Sequence, residues 1–355
     1  MANVLDLRRR IRSVKNTRQI TKAMKMVAAA KLRRSQERAF AARPYAQMIA
    51  SVLASLVRRV DIYDPETGDA KHSLLVAREE KRVTVVVVTG DKGFAGPFNA
   101  NVLKATHRFI ADRTDVDVDL EIVGRKGIGV LRRSFGLASI AEGEQPSQSR
   151  EPRNRKARVE IVGEHGGLLD KLSFGKAAEL SHLLVERYAS EQTDAVYLVF
   201  NEFQSVISQR IVVERILPIL EVGKPDIAGA TELEKEQIEE IAKAAQSAGI
   251  SIKAEDTRQA DEEASKFGTA EVDYIYEQSP SELLGALLPR YVATQLYHAM
   301  LESVAAEHAA RMTAMDAATN NASDMIDAYT LTMNRLRQAA ITKEIIEIVS
   351  GASAI

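Results

Sequence analysis

The chain has no cysteine, which excludes disulfides, thiolate metal sites and thiol redox switches. It also has no run of the ~18 apolar residues that a membrane helix needs. Its longest apolar stretch covers only residues 83–88, with Thr84 inside it. Arginines follow the first residues with no apolar stretch behind them, an arrangement that argues against a secretory signal. Residues 4–60 contain no glycine and one proline, Pro44, and residues 290–350 contain neither residue type. Two long segments without helix breakers at the two ends point to two long helices. What is present is ordinary: 45% hydrophobic and 27% charged residues in a chain of 355, enough for about two domains.

The net charge of -1 conceals an asymmetry. Residues 1–60 hold fifteen Lys/Arg against Asp6 and Glu37, whereas residues 221–277 hold fifteen Asp/Glu against six Lys/Arg. The basic N-terminal run (Arg8, Arg9, Arg10, Arg12, Lys15, Arg18, Lys22, Lys25) fits an acidic partner surface. Nucleic acid is the weaker reading, because no aromatic residue interrupts the run to stack on bases.

In the C-terminal segment, Leu301, Ala305, His308, Met312, Met315, Thr319, Ala322, Ile326, Tyr329, Met333, Leu336 and Ala340 alternate spacings of four and three. That is a heptad seam, though several positions are small or polar. Ser279, Pro280 and Glu282 form its start signal, and Pro289 is expected to kink the first turns near Gly285. In the N-terminal segment, Val4, Leu7, Ile11 and Val14 begin a stripe that reads as slipping in phase to Ile20, Met24 and Val27. Pro44 predicts a bend near Phe40. The two segments are expected to form a long antiparallel coiled coil.

Between them, strands at 83–89, 118–123, 194–200 and 205–217 alternate with helices near 98–111, 126–134 and 173–190. This pattern predicts a Rossmann-like α/β head with a mainly parallel sheet. The expected division is an N-terminal shaft helix at 1–60, a head at 61–278 with an acidic insert at 223–270, and a C-terminal shaft helix at 279–355. Thr231 and Glu234 have capping-box spacing inside that insert, and Asp64-Pro65 with Gly68 reads as the turn ending the first helix. The polar stretches 61–81 and 141–158 carry no assignment.

Candidate chemistry is sparse. The loop Gly90-Asp91-Lys92-Gly93-Phe94-Ala95-Gly96 follows a strand and precedes a helix, where phosphates bind. It lacks the Lys-Ser/Thr ending of a P-loop and the spacing of the dinucleotide fingerprint, so a tight turn is the better reading, with Asp91 and Lys92 forming a local pair or a cap. The histidines at 72, 107, 165, 182, 298 and 308 show no metal-ligand spacing. No catalytic constellation, cofactor site or metal site is expected.

The segment 11–31, Ile-Arg-Ser-Val-Lys-Asn-Thr-Arg-Gln-Ile-Thr-Lys-Ala-Met-Lys-Met-Val-Ala-Ala-Ala-Lys, resembles the γ-subunit family of the rotary, proton-driven ATP synthases. So do 335–353 (Arg-Leu-Arg-Gln-Ala-Ala-Ile-Thr-Lys-Glu-Ile-Ile-Glu-Ile-Val-Ser-Gly-Ala-Ser), 89–99 and 309–320. The resemblance implies a non-catalytic rotor in the central stalk. Its terminal helices would turn inside a ring of α and β subunits, and its head would sit on the c-ring beside the ε subunit. It implies β-subunit contacts at Lys22, Met24, Lys25, Arg337, Gln338, Thr342 and Glu344. It implies an ε/c-ring foot at Asp273, Tyr274, Tyr276 and Glu277. The expected place is the cytoplasmic face of a bacterial cell membrane, held there peripherally through the complex. The insert lies where chloroplast-type relatives carry a regulatory segment, but redox control there needs a cysteine pair. A static coiled-coil scaffold with an α/β head is the alternative. The specific polar motif Ile-Thr-x-Glu near the C-terminus favours the rotor, because a scaffold needs no such tip.

Overall fold

The computed structural model describes residues 4–59, 72–138, 157–206, 208–219 and 279–352. The acidic insert 223–270, the foot residues Asp273, Tyr274, Tyr276 and Glu277, the turn at Asp64-Pro65, and residues 61–71 and 141–156 of the polar stretches lie outside the described residues. The elements in chain order are α1 (Val4–Arg59), β1 (Arg82–Val88), α2 (Phe98–Ala111), β2 (Asp117–Val123), α3 (Arg125–Ser134), β3 (Gly136–Leu137), β4 (Val159–His165), α4 (Phe174–Ala189), β5 (Ala195–Phe203), β6 (Gln209–Leu217) and α5 (Pro280–Ala352), with 3-10 turns at Ser73–Leu75 and Leu169–Lys171.

The strands form one sheet in the order β3-β4-β2-β1-β5-β6. All neighbours are parallel except the β5–β6 pair, which closes one edge antiparallel. β1 is buried along nearly its whole length, and its unbroken valines suit a central parallel strand covered on both faces. Val83, Val85 and Val87 face a core made with α2 and α3, including Val102, Phe109, Ile110 and Leu131. Val86 and Val88 face the other core, with Leu180, Leu184 and Tyr188 of α4, Ile49 and Leu53 of α1, and Leu288, Val292 and Leu296 of α5.

Two sequence expectations change. β6 begins at Gln209 rather than 205, because the Ser205 N–H is bound to Ser208 O at 2.9 Å and not to a neighbouring strand. β3 and β4 are additional strands. β4 reads Val-Glu-Ile-Val-Gly-Glu-His, and its carboxylates and glycine hide the strand pattern. Pro44 lies inside α1 and Pro289 inside α5, so any bend at either proline falls within a continuous helix. Finally, α1 is apolar enough over one window to pass for a membrane span by composition. Its Ala46, Ile49, Ala50, Leu53 and Leu56 are buried, and packing inside the protein accounts for that apolarity.

The chain divides into two compact units: Met1–Ala29 with Arg311–Ile355, and Ala30–Ala310. The sheet and its two cores belong to the second unit.

Candidate partner-binding surface

In the first unit, α1 and α5 lie antiparallel. Thr21 Oγ1 is 2.8 Å from Thr319 Oγ1, and Lys25 Nζ is 2.6 Å from Asp316 Oδ1. One threonine hydroxyl donates across the pair while the other bonds back to its own helix, to Arg18 O at 3.1 Å or Met315 O at 2.7 Å. The facing numbers sum to 340 and 341. A constant register therefore sets Leu7 opposite Met333, Ile11 opposite Tyr329, Val14 opposite Ile326 and Ala28 opposite Met312. The burial follows this layering: Leu7, Ile11, Thr21, Ala28, Met312, Met315, Ala322 and Ile326 are all buried.

The α5 seam is thus where the heptad spacing put it. The phase slip in α1 is absent. Its covered stripe keeps strict four-three spacing through Leu7, Ile11, Val14, Arg18, Thr21, Lys25 and Ala28, whereas Ile20 and Val27 are 60% and 57% exposed. Following apolar residues misplaced the seam, because three consecutive core layers are carried by an arginine, a threonine and a lysine stem. Such long cations bury their methylenes and keep their heads wet.

The same register explains the tip. Val4, where the described part of α1 begins, faces Leu336 in this register. At ~1.5 Å per residue, the part from 337 to 352 extends roughly 24 Å past the described part of α1. Leu336 is the last partly covered residue, and residues 337–350 are all exposed. They include Ile341, Ile345, Ile348 and Val349, which are 48%, 55%, 71% and 61% exposed. At ~100° per residue these four occupy an arc of roughly 100°, which Ile346, 59% exposed, widens to roughly 160°. The opposite side carries Lys343 and Glu347, paired at 3.5 Å. Among the described residues this apolar face is exposed, as the docking faces of proteins are.

Of the expected β-subunit contacts, Arg337, Gln338, Thr342 and Glu344 lie on this projecting segment and are exposed; the Thr342 hydroxyl bonds to Gln338 O of its own helix at 2.9 Å. Lys22 is exposed on α1, and Met24 is half-buried. Lys25 is half-buried and already paired with Asp316, so it presents less net charge outward than Lys22. The tip isoleucines were not among the expected contact residues, although their spacing of four and three was readable in the sequence. Their exposure follows from the register, in which the described part of α1 ends opposite Leu336.

In the loop after β1, the cap is the alternative that holds for Asp91. Asp91 and Lys92 do not pair with each other. Asp91 Oδ1 accepts N–H groups from Arg125 at 3.1 Å and Gly167 at 2.8 Å, which places a carboxylate on the N-terminus of α3, where a phosphate would otherwise be held. Lys92 bonds to Asp170 at 2.8 Å. That hydrogen bond, opposed by burial and helped by the charges of Lys92, Lys31 and Arg125, holds the Asp170 carboxyl below its ordinary range.

The histidines bind locally. His72 Nδ1 accepts the Leu74 N–H at 3.2 Å, His165 lies 2.9 Å from Glu121, and His182 lies 3.3 Å from Glu186. Among the described residues, no group of three His, Cys, Asp or Glu is placed to hold a metal ion.

Comparison with known proteins adds three findings. A family model described as ATP synthase matches residues 3–355. The ATP synthase gamma chain of Solibacter usitatus is 43% identical over 354 residues, covering 100% of this chain and 99% of its own length; that of Geobacter metallireducens is 41% identical over 357 residues with the same coverage. Among solved structures, a chain of the Euglena gracilis mitochondrial ATP synthase (OSCP/F1/c-ring) aligns over 99% of this chain and 94% of its own, with a TM-score of 0.56 at 18% identity.

Proposed function

The chain belongs to the ATP synthase gamma chain family, and from that premise we propose that it is a central-stalk rotor that couples proton-driven rotation of a c-ring to conformational cycling of catalytic β subunits. It carries no chemistry of its own; ATP would be made on the β subunits. The observation that supports this reading best is the exposed apolar tip of α5 beyond Leu336. A lone amphipathic helix is poorly stable in water by itself, so a sleeve supplied by other subunits accounts for it. The apolar arc gives a bearing surface with few directional contacts, which permits turning.

Charge supports the same arrangement. Arg8, Arg9, Arg10, Arg12, Lys15 and Lys22 are exposed on α1 and suit acidic segments of surrounding subunits. Lys22, Met24, Arg337, Gln338, Thr342 and Glu344 are the proposed β-subunit contacts. Lys25 acts there with its charge partly neutralised by Asp316. Asp273, Tyr274, Tyr276 and Glu277 are the proposed foot toward the ε subunit and c-ring. The complex would hold the chain peripherally at the cytoplasmic face of a bacterial membrane. As the shaft turned, each β site would meet a different side of it and settle in a different state, which is differential binding of conformations.

The test is removal of residues 337–355. Because this segment is almost wholly exposed, the truncated chain should melt within about 2 °C of the full chain, since surface changes move stability little. It should still co-purify with α and β subunits, yet lose at least tenfold in multisite ATP turnover. Unchanged turnover would count against the tip's role.

A further inference from the structure

Two carboxylates on α5, Glu302 and Glu307, are 6% and 5% exposed. A helix that only packed against a sheet would place leucines there, because a buried carboxylate must be compensated by directed contacts. Glu302 Oε2 accepts the N–H of Phe203, the last residue of β5, at 3.2 Å. Glu307 lies flat against Gly90, two residues beyond the end of β1. A Cβ added at Gly90 would stand 2.8 Å from its carboxyl carbon and 2.9 Å from Oε1. Gly90 is itself fixed, its N–H bound to Asn99 Oδ1 at 2.8 Å.

The two strand ends are neighbours of a particular kind. β1 and β5 are adjacent and parallel. The chain leaves β1 toward β2 on one side, and returns from β4 to β5 on the other. Their C-terminal ends therefore flank the switch point of the sheet, the crevice where open α/β sheets hold their ligands. Here that crevice receives two carboxylates from the chain's own helix. Residues 302 and 307 are ~7.5 Å apart along α5, far enough for each to reach a different strand end. Apolar packing around Leu288, Val292 and Leu296 holds the helix against the sheet but resists rotation about its own axis weakly, since it is non-directional. A carboxylate hydrogen-bonded at one strand end and a second seated against the glycine at the other fix both azimuth and register.

We propose that Glu302 and Glu307 key α5 to the C-terminal ends of β5 and β1, so that a turning force on the sheet enters α5 through these two carboxylates. The proposal rests on the rotor reading. It assigns the residues as positioning groups, with the crevice of the sheet serving as a socket for the shaft helix instead of a ligand.

The chain has no cysteine, so one introduced at the exposed Val130 of α3 (Val130→Cys) takes a bead uniquely. In complexes with α and β subunits fixed to a surface, the thermal angular variance of the resting bead reports torsional stiffness. Glu302→Ala/Glu307→Ala should raise that variance at least twofold, Glu302→Gln/Glu307→Gln should raise it less, and Gly90→Ala should raise it by displacing Glu307 alone. The control is Leu288→Ala, a core truncation that lowers melting temperature without touching either carboxylate; its variance should stay near wild type. Variance unchanged in the double alanine variant, or raised equally by the control, overturns the keying while the bead still turns with ATP. A wild-type bead that does not turn with ATP overturns the rotor reading and the keying together.

Discussion

Glu121 on β2 is 1% exposed, and Gly163 on β4 lacks a side chain where that carboxylate sits. A Cβ there would lie 1.8 Å from Oε2. The strand pairing is adjusted to make the room: the β2–β4 register shifts between Leu120 and Glu121, as at a bulge. Burial pushes the Glu121 carboxyl up, but the hydrogen bond from His165 and the charge of Arg187 outweigh it and hold the value below 4.5. A carboxylate depressed in the folded state stabilises above its unfolded value, and that contribution is lost as pH falls through the folded value. Urea melts should therefore show stability dropping below pH 4.5, and Glu121→Gln should flatten the drop. Gly163→Ala at pH 7 should cost about 3–5 kcal/mol, the scale of breaking a buried ion pair. A loss under about 1 kcal/mol would mean that Glu121 relocates freely. None of this was legible in the sequence, where Gly163 stood in an unassigned stretch. Its reason is a carboxylate more than forty residues away.

Among elements, α5 shows what periodicity can and cannot reveal. Its seam was readable because Leu301, Met312, Met315 and Ile326 mark the four-three spacing. The matching seam of α1 was not, because Arg18, Thr21 and Lys25 occupy three successive layers while Ile20 and Val27 point outward. The pattern of apolar residues on α1 therefore served two surfaces at once, one facing its partner helix and one facing away. The Thr21–Thr319 contact gives a direct check. Removing one hydroxyl leaves the other with fewer partners, so Thr21→Val or Thr319→Val alone should each cost about 1 kcal/mol. Replacing both should be nearly neutral or stabilising. A double-mutant cycle by thermal melting measures the coupling, and strictly additive losses would contradict the shared hydroxyl layer. The Lys25–Asp316 pair, half-exposed, should couple by no more than about 1 kcal/mol.

At the scale of the whole molecule, the α/β head was legible from alternating strands and helices. Its switch-point crevice was not, because filling it depends on a helix that begins some eighty residues after β5. The tip was half legible: the motif at 335–353 carried the family resemblance, while its exposure follows only from the antiparallel register. A shaft whose core layers include Ala28, Thr21, Ala322 and Thr319 stays narrow, and its outer surface keeps Ile20, Val27 and the basic residues for partners. These features together suit the proposed rotor. Bead rotation tests that most directly, with the complex of α and β subunits fixed and the bead on Val130→Cys. A rotor predicts unidirectional turning whose rate follows ATP turnover and which is lost with residues 337–355. A bead that stays still while the same complexes hydrolyse ATP would contradict it.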